Sequence, residues 1–254
     1  MKKIIITSLS IILFVSFSFS QNFSTSGLTG TQSKGQNDAG KSVDATYFIT
    51  HSNSQTIDAG VTASCNGGGL HTDNSYLRVF DLVGDFGINE DIDVVSVEFG
   101  IETAAGASGD QPVTVNVYTL SGAFVFANLT LIATEAVTVA DQTLTIFTVP
   151  ISAAIPTGST MVIEIFTPDG QGVGNSFYFG SNSGGQTDDS YIAAAACGIN
   201  EPTSTGAIGF GHNHYVINVN ADPAGGPSAV PIKSWSVIIS LLLMATFVVY
   251  RIRK

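Results

Sequence analysis

Short stretches rich in β-branched and aromatic residues recur along the middle of the chain, and turn residues separate them. In residues 113–117 the apolar side chains occupy the odd positions, while Thr114 and Asn116 lie between them. A period of two is typical of antiparallel strands that are buried on one face. The same character predicts strands at residues 75–83, 94–102, 112–120, 129–139, 142–149, 161–167, 175–180 and 215–220.

Glycine, proline and aspartate mark the turns between these strands, as in Ser121-Gly122 and Pro156-Thr157-Gly158. No segment carries a helical period, and the alanine run at 193–196 is only long enough for one turn. A series of short strands without helices predicts an all-β fold, a single antiparallel β-sandwich that is jelly-roll-like. We place this ectodomain at residues 42–220.

The N-terminus has the three parts of a secretory signal peptide. Lys2 and Lys3 precede an apolar stretch at 4–19, and the small residues Ser18 and Ser20 stand at the −3 and −1 positions of a cleavage site. Residues 1–20 are therefore predicted to be removed, although a retained N-terminal anchor is the alternative. The polar residues 21–41 predict a flexible leader, and the Pro/Gly-rich residues 221–229 predict a spacer.

The C-terminal segment, residues 230–254, combines a short motif, an apolar run and a basic end. As a helix, the stretch from Trp235 to Tyr250 would measure roughly 24 Å, against about 30 Å for a hydrocarbon core. We therefore predict one short C-terminal transmembrane helix with its ectodomain outside the cytoplasm. The positive residues that would stop the helix at the inner surface are Arg251, Arg253 and Lys254.

This order of features resembles the PEP-CTERM class of sorting signals, in particular the variants whose motif reads roughly Ile-Pro-Thr-Leu-Ser-x-Trp. Lys233 departs from that pattern, which usually has an apolar residue there. The resemblance implies that an exosortase-like membrane transpeptidase cuts the tail and that the protein moves to the cell surface or matrix. The alternative is a permanent single-pass anchor. The residues that match the motif are Val230, Pro231, Ile232, Ser234 and Trp235.

Charge excludes some partners. Residues 21–229 contain all 20 acidic side chains but only three basic ones, Lys34, Lys41 and Arg78, for a net charge of −17. Such a field disfavours nucleic acid and anionic lipid as partners. It is compatible with divalent cations, with basic partners, or with solubility outside the cell.

The mature chain has two cysteines, Cys65 and Cys197, next to glycine-rich or small-residue segments. In an oxidising compartment an even pair in a secreted domain predicts a disulfide. A chain-entropy estimate for so long a loop gives about 4–5 kcal/mol as an upper figure. The alternative is a pair of separate buried thiols.

Two groups of residues are candidate metal ligands. The acidic turn at 85–93 offers Asp85, Asn89, Asp91 and Asp93, and oxygen-rich loops are what calcium prefers, although the spacing is not that of an EF-hand. The sequence thus allows a structural calcium, with an ion-free acidic turn as the alternative. His212 and His214, at i and i+2, would share one face of a strand and suit a transition metal. The alternative is a solvated surface pair.

No catalytic motif is present: a Gly-x-Ser-x-Gly elbow is absent, and neither cysteine lies in a reactive context. The strand residues Glu98, Glu102 and Glu164 are too unspecific a set to indicate a glycosidase. We therefore expect a non-enzymatic protein with no cofactor, a structural calcium being the one ion that the sequence allows. A metal-dependent extracellular hydrolase using His212 and His214 is the alternative.

A second resemblance concerns residues 71–81 together with 180–182, which are similar to a β-sandwich module of exported bacterial surface proteins. It implies display at the surface and a sandwich fold. The predicted function is adhesion, ligand binding or matrix structure, with an unidentified surface ligand or a matrix polysaccharide as partner. The ectodomain lacks tryptophan, which argues against a dedicated lectin. We expect the working surface at the loops 65–71 and 188–200, which the disulfide would join.

Overall fold

The computed structural model describes residues 45–225, and these residues form a β-sandwich of antiparallel strands. Three short 3-10 helices, Phe126–Asn128, Gln171–Val173 and Ala195–Cys197, lie in the connections. The strands are β1 Tyr47–Thr50, β2 Asn66–Gly67, β3 Leu70–His71, β4 Asn74–Asp81, β5 Ile92–Ala105, β6 Asp110–Leu120, β7 Leu129–Ala140, β8 Gln142–Ile155, β9 Thr160–Thr167, β10 Ser176–Phe179, β11 Ser181–Asn182, β12 Ser190–Ala194, β13 Ile199–Ser204, β14 His214–Tyr215 and β15 Ile217–Pro223.

Two main sheets make the sandwich. One has six strands in the order β13-β12-β4-β9-β6-β7. The other has five, in which β5 pairs with β8 along most of its length and with β15 and then β10 on its other edge. The one-residue connection at Asp141 between β7 and β8 passes from the first sheet to the second. Two small pairs, β2-β3 and β11-β14, complete the described strands.

The core lies between the inner faces of the two sheets. From the six-stranded sheet it takes the alternate residues of β4, β6 and β9, such as Phe80, Val115 and Ile163, all fully buried. From the other sheet it takes residues such as Phe99 and Val219. Strand alternation thus places one apolar row per strand in the interior, and this burial is the main stabilising term of the fold.

The change of partner along β5 depends on two glycines. Gly180 donates a hydrogen bond to the carbonyl of Gly100 (2.8 Å), and Val216 donates to the carbonyl of Gly180 (3.1 Å). A Cβ on Gly180 would lie 2.5 Å from the carbonyl carbon of Gly100. Only glycine therefore allows the strands to approach closely enough where β15 gives way to β10.

Each of the predicted strands is present, with corrected limits. The predicted strand 75–83 ends at Asp81, because the Asp81 carboxylate accepts a hydrogen bond from the backbone of Gly84 and starts a turn. The predicted strand 215–220 is two strands, and the second continues to Pro223, inside the predicted spacer. The strands β1, β12 and β13 were not predicted, nor were the two-residue strands β2, β3 and β11.

The disulfide is confirmed: Cys65 and Cys197 are bonded, with their Cα atoms 6.0 Å apart. Cys65 precedes β2, and Cys197 ends the 3-10 helix between β12 and β13. The backbone of Cys65 is itself fixed, since its N–H donates to the side chain of Asn74 at 2.8 Å. The bond therefore ties an exposed turn to a well-held part of the domain.

One backbone position in β8 is strained. Leu144 has a φ of +52°, a left-handed conformation that costs L-residues free energy. Its side chain is 50% exposed, so packing gains little from it. The neighbouring Thr143 keeps normal pairing with Thr103.

Several sequence predictions fall outside residues 45–225: the signal peptide at 1–20, the leader at 21–41, and the sorting motif and transmembrane helix at 230–254. Within 45–225, none of the helices has the length and apolar character required to cross a membrane.

Candidate functional site

The outer face of the six-stranded sheet carries an unusual mixture of polar and aromatic side chains. The register places Ser75, Phe166 and Thr114 in one row across β4, β9 and β6. The next row places Leu77, Glu164 and Asn116 side by side. Because alternate residues face the core, these rows face away from it. Tyr191 and Ala193 extend the rows onto β12, and Tyr118 lies on β6 beyond Asn116. We call this surface the outer face.

A buried carboxylate lies at the centre of the outer face. Glu164 is only 5% exposed. Its Oε1 accepts a hydrogen bond from the hydroxyl of Ser75 (2.5 Å), and its Oε2 accepts from the amide of Asn116 (2.9 Å) and the phenol of Tyr118 (2.7 Å). Burial, followed by this hydrogen bond to Glu164, raises the pKa of Tyr118. Glu164 thus holds three neighbouring side chains in fixed orientations.

The segment between β6 and β7 folds over one side of the outer face. Phe124 packs edge-on against Tyr191, with ring centroids 4.8 Å apart. The backbone N–H of Phe126 donates to the carboxylate of Glu201 on β13 (2.8 Å). These contacts cover the fully buried Leu77 and Val162 beneath them. The aromatic rings are therefore anchored by packing on one side and half-exposed on the other.

A cavity of about 100 Å³ opens beside Ser75, the residue that donates to Glu164. Its walls come from the sheet and from the turn that holds the disulfide: Asp73, Ser75, Phe126, Phe166, Ala193, Ala194, Ala195, Ile199 and Asn200. Typical small-molecule sites measure about 300–1,000 Å³. This cavity is too small to enclose such a ligand, but it has the size of a subsite for one protruding group of a larger ligand.

The expected working surface is found in part. The segment 188–200 lines the cavity through its residues 193–195, 199 and 200. The segment 65–71 does not line it, although the disulfide joins the two segments. The sequence identified Glu164 as one of three strand carboxylates, and nothing in it indicated that a loop covers this face and that the carboxylate is buried.

The predicted calcium ligands are not gathered around one point. Asp91 accepts a hydrogen bond from the backbone of Thr157 (2.7 Å), and the amide of Asn89 donates to the carbonyl of Gly87 (2.8 Å). Asp93 lies within β5, and its carboxylate does not join those of Asp85 and Asp91 in a ligand group. These interactions stabilise turns, and calcium binding by this segment stays an untested prediction.

The predicted histidine pair does not share a strand. His212 lies in an exposed turn, with its ring 6.4 Å from that of Phe210. His214 lies in the two-residue strand β14, where its Nδ1 contacts the carbonyl of Asn182 at 3.0 Å. The i, i+2 strand geometry was therefore wrong, because the Gly-rich segment before Asn213 forms a turn rather than an extended strand.

A different histidine, His71, is buried and structural. Its Nδ1 lies 3.1 Å from the carbonyl of Asn175, and its ring meets Phe177 edge-on. Burial lowers its pKa, with a smaller opposing effect from that carbonyl. The imidazole is thus held neutral in the interior at neutral pH.

No family model matches this chain, and no curated protein does. Among solved structures, the chain is similar to the cysteine protease and lectin-like domains of Cwp84, a surface layer associated protein of Clostridium difficile, with 13% identity and a TM-score of 0.38. That match covers 61% of this chain and 33% of Cwp84. The clostridial cysteine protease Cwp84 after propeptide cleavage gives 14% identity, a TM-score of 0.34, and coverage of 61% and 37%. The chain therefore spans roughly a third of the length of the structures it matches.

Proposed function

We propose that this protein is an exported, surface-displayed binding module that engages a neutral matrix polysaccharide through the outer face of its six-stranded sheet. The observation that carries the proposal is the buried Glu164, which fixes Ser75, Asn116 and Tyr118 beside half-exposed aromatic rings. Polar groups in fixed positions next to aromatic surfaces are the usual composition of a recognition site.

The shape of the site favours a polymer over a small molecule. The cavity of about 100 Å³ holds one protruding group at most, whereas the sheet continues beyond it across β6 and β7. A chain of linked sugars would lie across the rows and place one substituent in the cavity. Ser75 connects the cavity with the polar rows of the outer face, since it lines the cavity and donates a hydrogen bond to Glu164.

Charge limits the chemistry of that polymer. Residues 45–225 contain no lysine and a single arginine, Arg78, which is fully buried. Because the outer face offers no cation and the domain is strongly acidic, an anionic polymer would be repelled. Neutral, hydroxyl-rich chains face no such penalty.

The location completes the proposal. A signal peptide at 1–20 and a sorting or anchoring segment at 230–254 would deliver a jelly-roll-like domain to the cell surface, and the tail supplies the link to an exosortase-like enzyme or to the membrane. We propose a non-enzymatic role. The alternative, a metal-dependent hydrolase using His212 and His214, gains no support from the position of His212 in a turn and of His214 in a two-residue strand.

Affinity electrophoresis of the full-length protein tests this function. Gels containing dextran, mannan or a soluble β-glucan are compared with gels containing alginate as an anionic polymer. We expect retardation by at least one neutral polysaccharide and none by alginate. The variants Phe166→Ala and Tyr191→Ala should weaken binding by about fivefold or more, as removal of an aromatic hot spot does.

Phe48→Ala is the matched control. Phe48 is 51% exposed but lies on β1 of the other sheet, so its loss should leave retardation unchanged. Circular dichroism at rising temperature verifies that each variant is folded. If no neutral polysaccharide retards the protein, or if the Phe48 variant loses binding while the Phe166 and Tyr191 variants retain it, the outer face is not the binding surface.

A further inference from the structure

Three side chains from separate loops converge on the side of β4 that faces away from the outer face. His51 follows β1, Asp85 lies in the turn after β4, and Asp188 lies in the loop before β12. One ligand atom of each lies within 4.8 Å of the other two. In the part of the chain that the structure describes, this is the one such group of three histidine, cysteine or carboxylate side chains.

The histidine at its centre has an unsatisfied nitrogen. The His51 side chain is 1% exposed, and its buried Nε2 has no hydrogen-bond partner. The nearest carboxylate oxygen is Oδ2 of Asp85, at 3.8 Å. Buried polar atoms are nearly always paired, because an unpaired one forfeits its hydration. No atom of the described residues forms a hydrogen bond with this nitrogen, which leaves it available to a ligand from outside the chain.

The other ring nitrogen indicates which form of the imidazole is present. Nδ1 lies 2.7 Å from the hydroxyl of Thr187. We assign the proton to Nδ1, which leaves a lone pair on Nε2 directed towards the two carboxylates. Burial, and then the charge of Arg78, lowers the pKa of His51 and favours the neutral ring. Neutral imidazole with its second nitrogen hydrogen-bonded is the form that binds metals.

The ring is also held in place. It stacks on Phe80, with centroids 5.2 Å apart and planes 14° apart, and it contacts Phe86. The backbone N–H of Thr187 donates to the carbonyl of His51 (2.9 Å), which fixes the loop that carries Asp188 beside it. A rigid nitrogen ligand with two adjustable exposed carboxylates is a favourable arrangement for metal capture.

We propose that His51, Asp85 and Asp188 bind a divalent transition metal ion, with Zn²⁺ as the first candidate. One imidazole and two carboxylates suit zinc, and three protein ligands leave a fourth position for water. Two ligands of a tetrahedral zinc ion are about 3.4 Å apart, so the observed 3.8 Å between His51 and Asp85 requires only a small rotation of the exposed aspartate.

Arg78 does not prevent this. Its guanidinium donates to the backbone carbonyl of Asp188 (2.7 Å) and to Gln186 (3.0 Å), and so it leaves the Asp188 carboxylate available. The two carboxylates balance the charge of the ion, and the neighbouring Asp189 adds a further negative charge near the guanidinium. The ion would join three loops that are far apart in the sequence.

The test uses the full-length protein in mild detergent, stripped with EDTA and then titrated with Zn²⁺ by calorimetry. Co²⁺ serves as a spectroscopic probe, since a four-coordinate site gives visible absorption. We expect one ion per chain, a higher Tm with Zn²⁺, and at least about a tenfold weaker Kd in Asp85→Asn and Asp188→Asn. His51→Phe keeps the stacking on Phe80 and should abolish the Co²⁺ spectrum.

The controls separate this site from other donors. Asp189→Asn removes a neighbouring exposed carboxylate outside the group, and His214→Asn removes another histidine; both should bind as the parent does. If His51→Phe does not fold, the two exposed aspartate variants decide. Absence of binding by the parent protein, unchanged binding by those two variants, or loss of binding in His214→Asn would overturn the proposal.

Discussion

Removal of the Cys65–Cys197 bond should destabilise the domain by several kcal/mol, because the bond closes a long loop. The two cysteines are 132 residues apart in the sequence. In the chain-entropy model, closing a loop of that length removes about 17 cal/mol/K of entropy from the unfolded chain, or about 5 kcal/mol at 25 °C. This is an upper figure, and losses of native disulfides typically measure about 2–5 kcal/mol.

The assay compares the parent protein with the double variant Cys65→Ala, Cys197→Ser. Alanine replaces the first cysteine because it is buried, and serine replaces the second because it is exposed. Urea unfolding is followed by circular dichroism, because residues 45–225 contain no tryptophan to report on the sandwich. We expect a loss of about 2–5 kcal/mol. For a domain of this size the melting temperature should fall by about 4–20 °C.

Reduction of the parent protein provides the independent control and should reproduce the loss seen in the variant. Hydrogen exchange adds spatial detail: amides in residues 195–200, beside the cavity, should exchange faster without the bond. A loss below about 1 kcal/mol in both experiments would refute the reasoning. It would mean that the unfolded chain is already compact enough to keep these two segments close.

Three further changes are predicted. Glu164→Gln should lower the free energy of unfolding in urea by about 2–4 kcal/mol, because the hydrogen bonds that the buried carboxylate accepts are lost or mismatched. The exposed Glu135→Gln is the control and should lower it by under about 0.5 kcal/mol. Equal effects would contradict the buried network. Leu144→Gly should raise the free energy of unfolding by about 0.5–1 kcal/mol, because glycine adopts the positive φ without strain. Thr143→Gly should lower it. A change of the same sign in both variants would disprove backbone strain at Leu144. His71 has a lowered pKa when folded, so the unfolded chain binds its proton more readily and stability should fall as the pH drops below about 6.5. His71→Asn should remove up to about 1.4 kcal/mol per pH unit of that slope below about pH 6.5. An unchanged slope would assign the effect to another group.

The central strands could be predicted because each carries its own period of two. Residues 113–117 alternate in the structure as in the sequence, with Val113, Val115 and Val117 fully buried. Strands such as β12 and β13 could not, because they lack a clear alternation and include the alanine run and Pro202. They exist because β4 offers an open edge to β12, and β12 then offers one to β13. Their pairing is a tertiary effect that local propensity does not record.

The sequence by itself determined the fold class, the pair of cysteines and the negative charge of the domain, since each depends on residue type and local spacing. Only the tertiary structure decided which polar residues meet. Glu164 gains Ser75 from β4 and Tyr118 from β6, and His51 gains Asp85 and Asp188 from two distant loops. The predicted pair His212 and His214 is close in sequence, but His212 belongs to a turn and His214 to the two-residue strand β14. Sites of this kind combine residues that are remote along the chain. Strand order and register bring such residues together, and both are properties of the packed sheets rather than of any local segment.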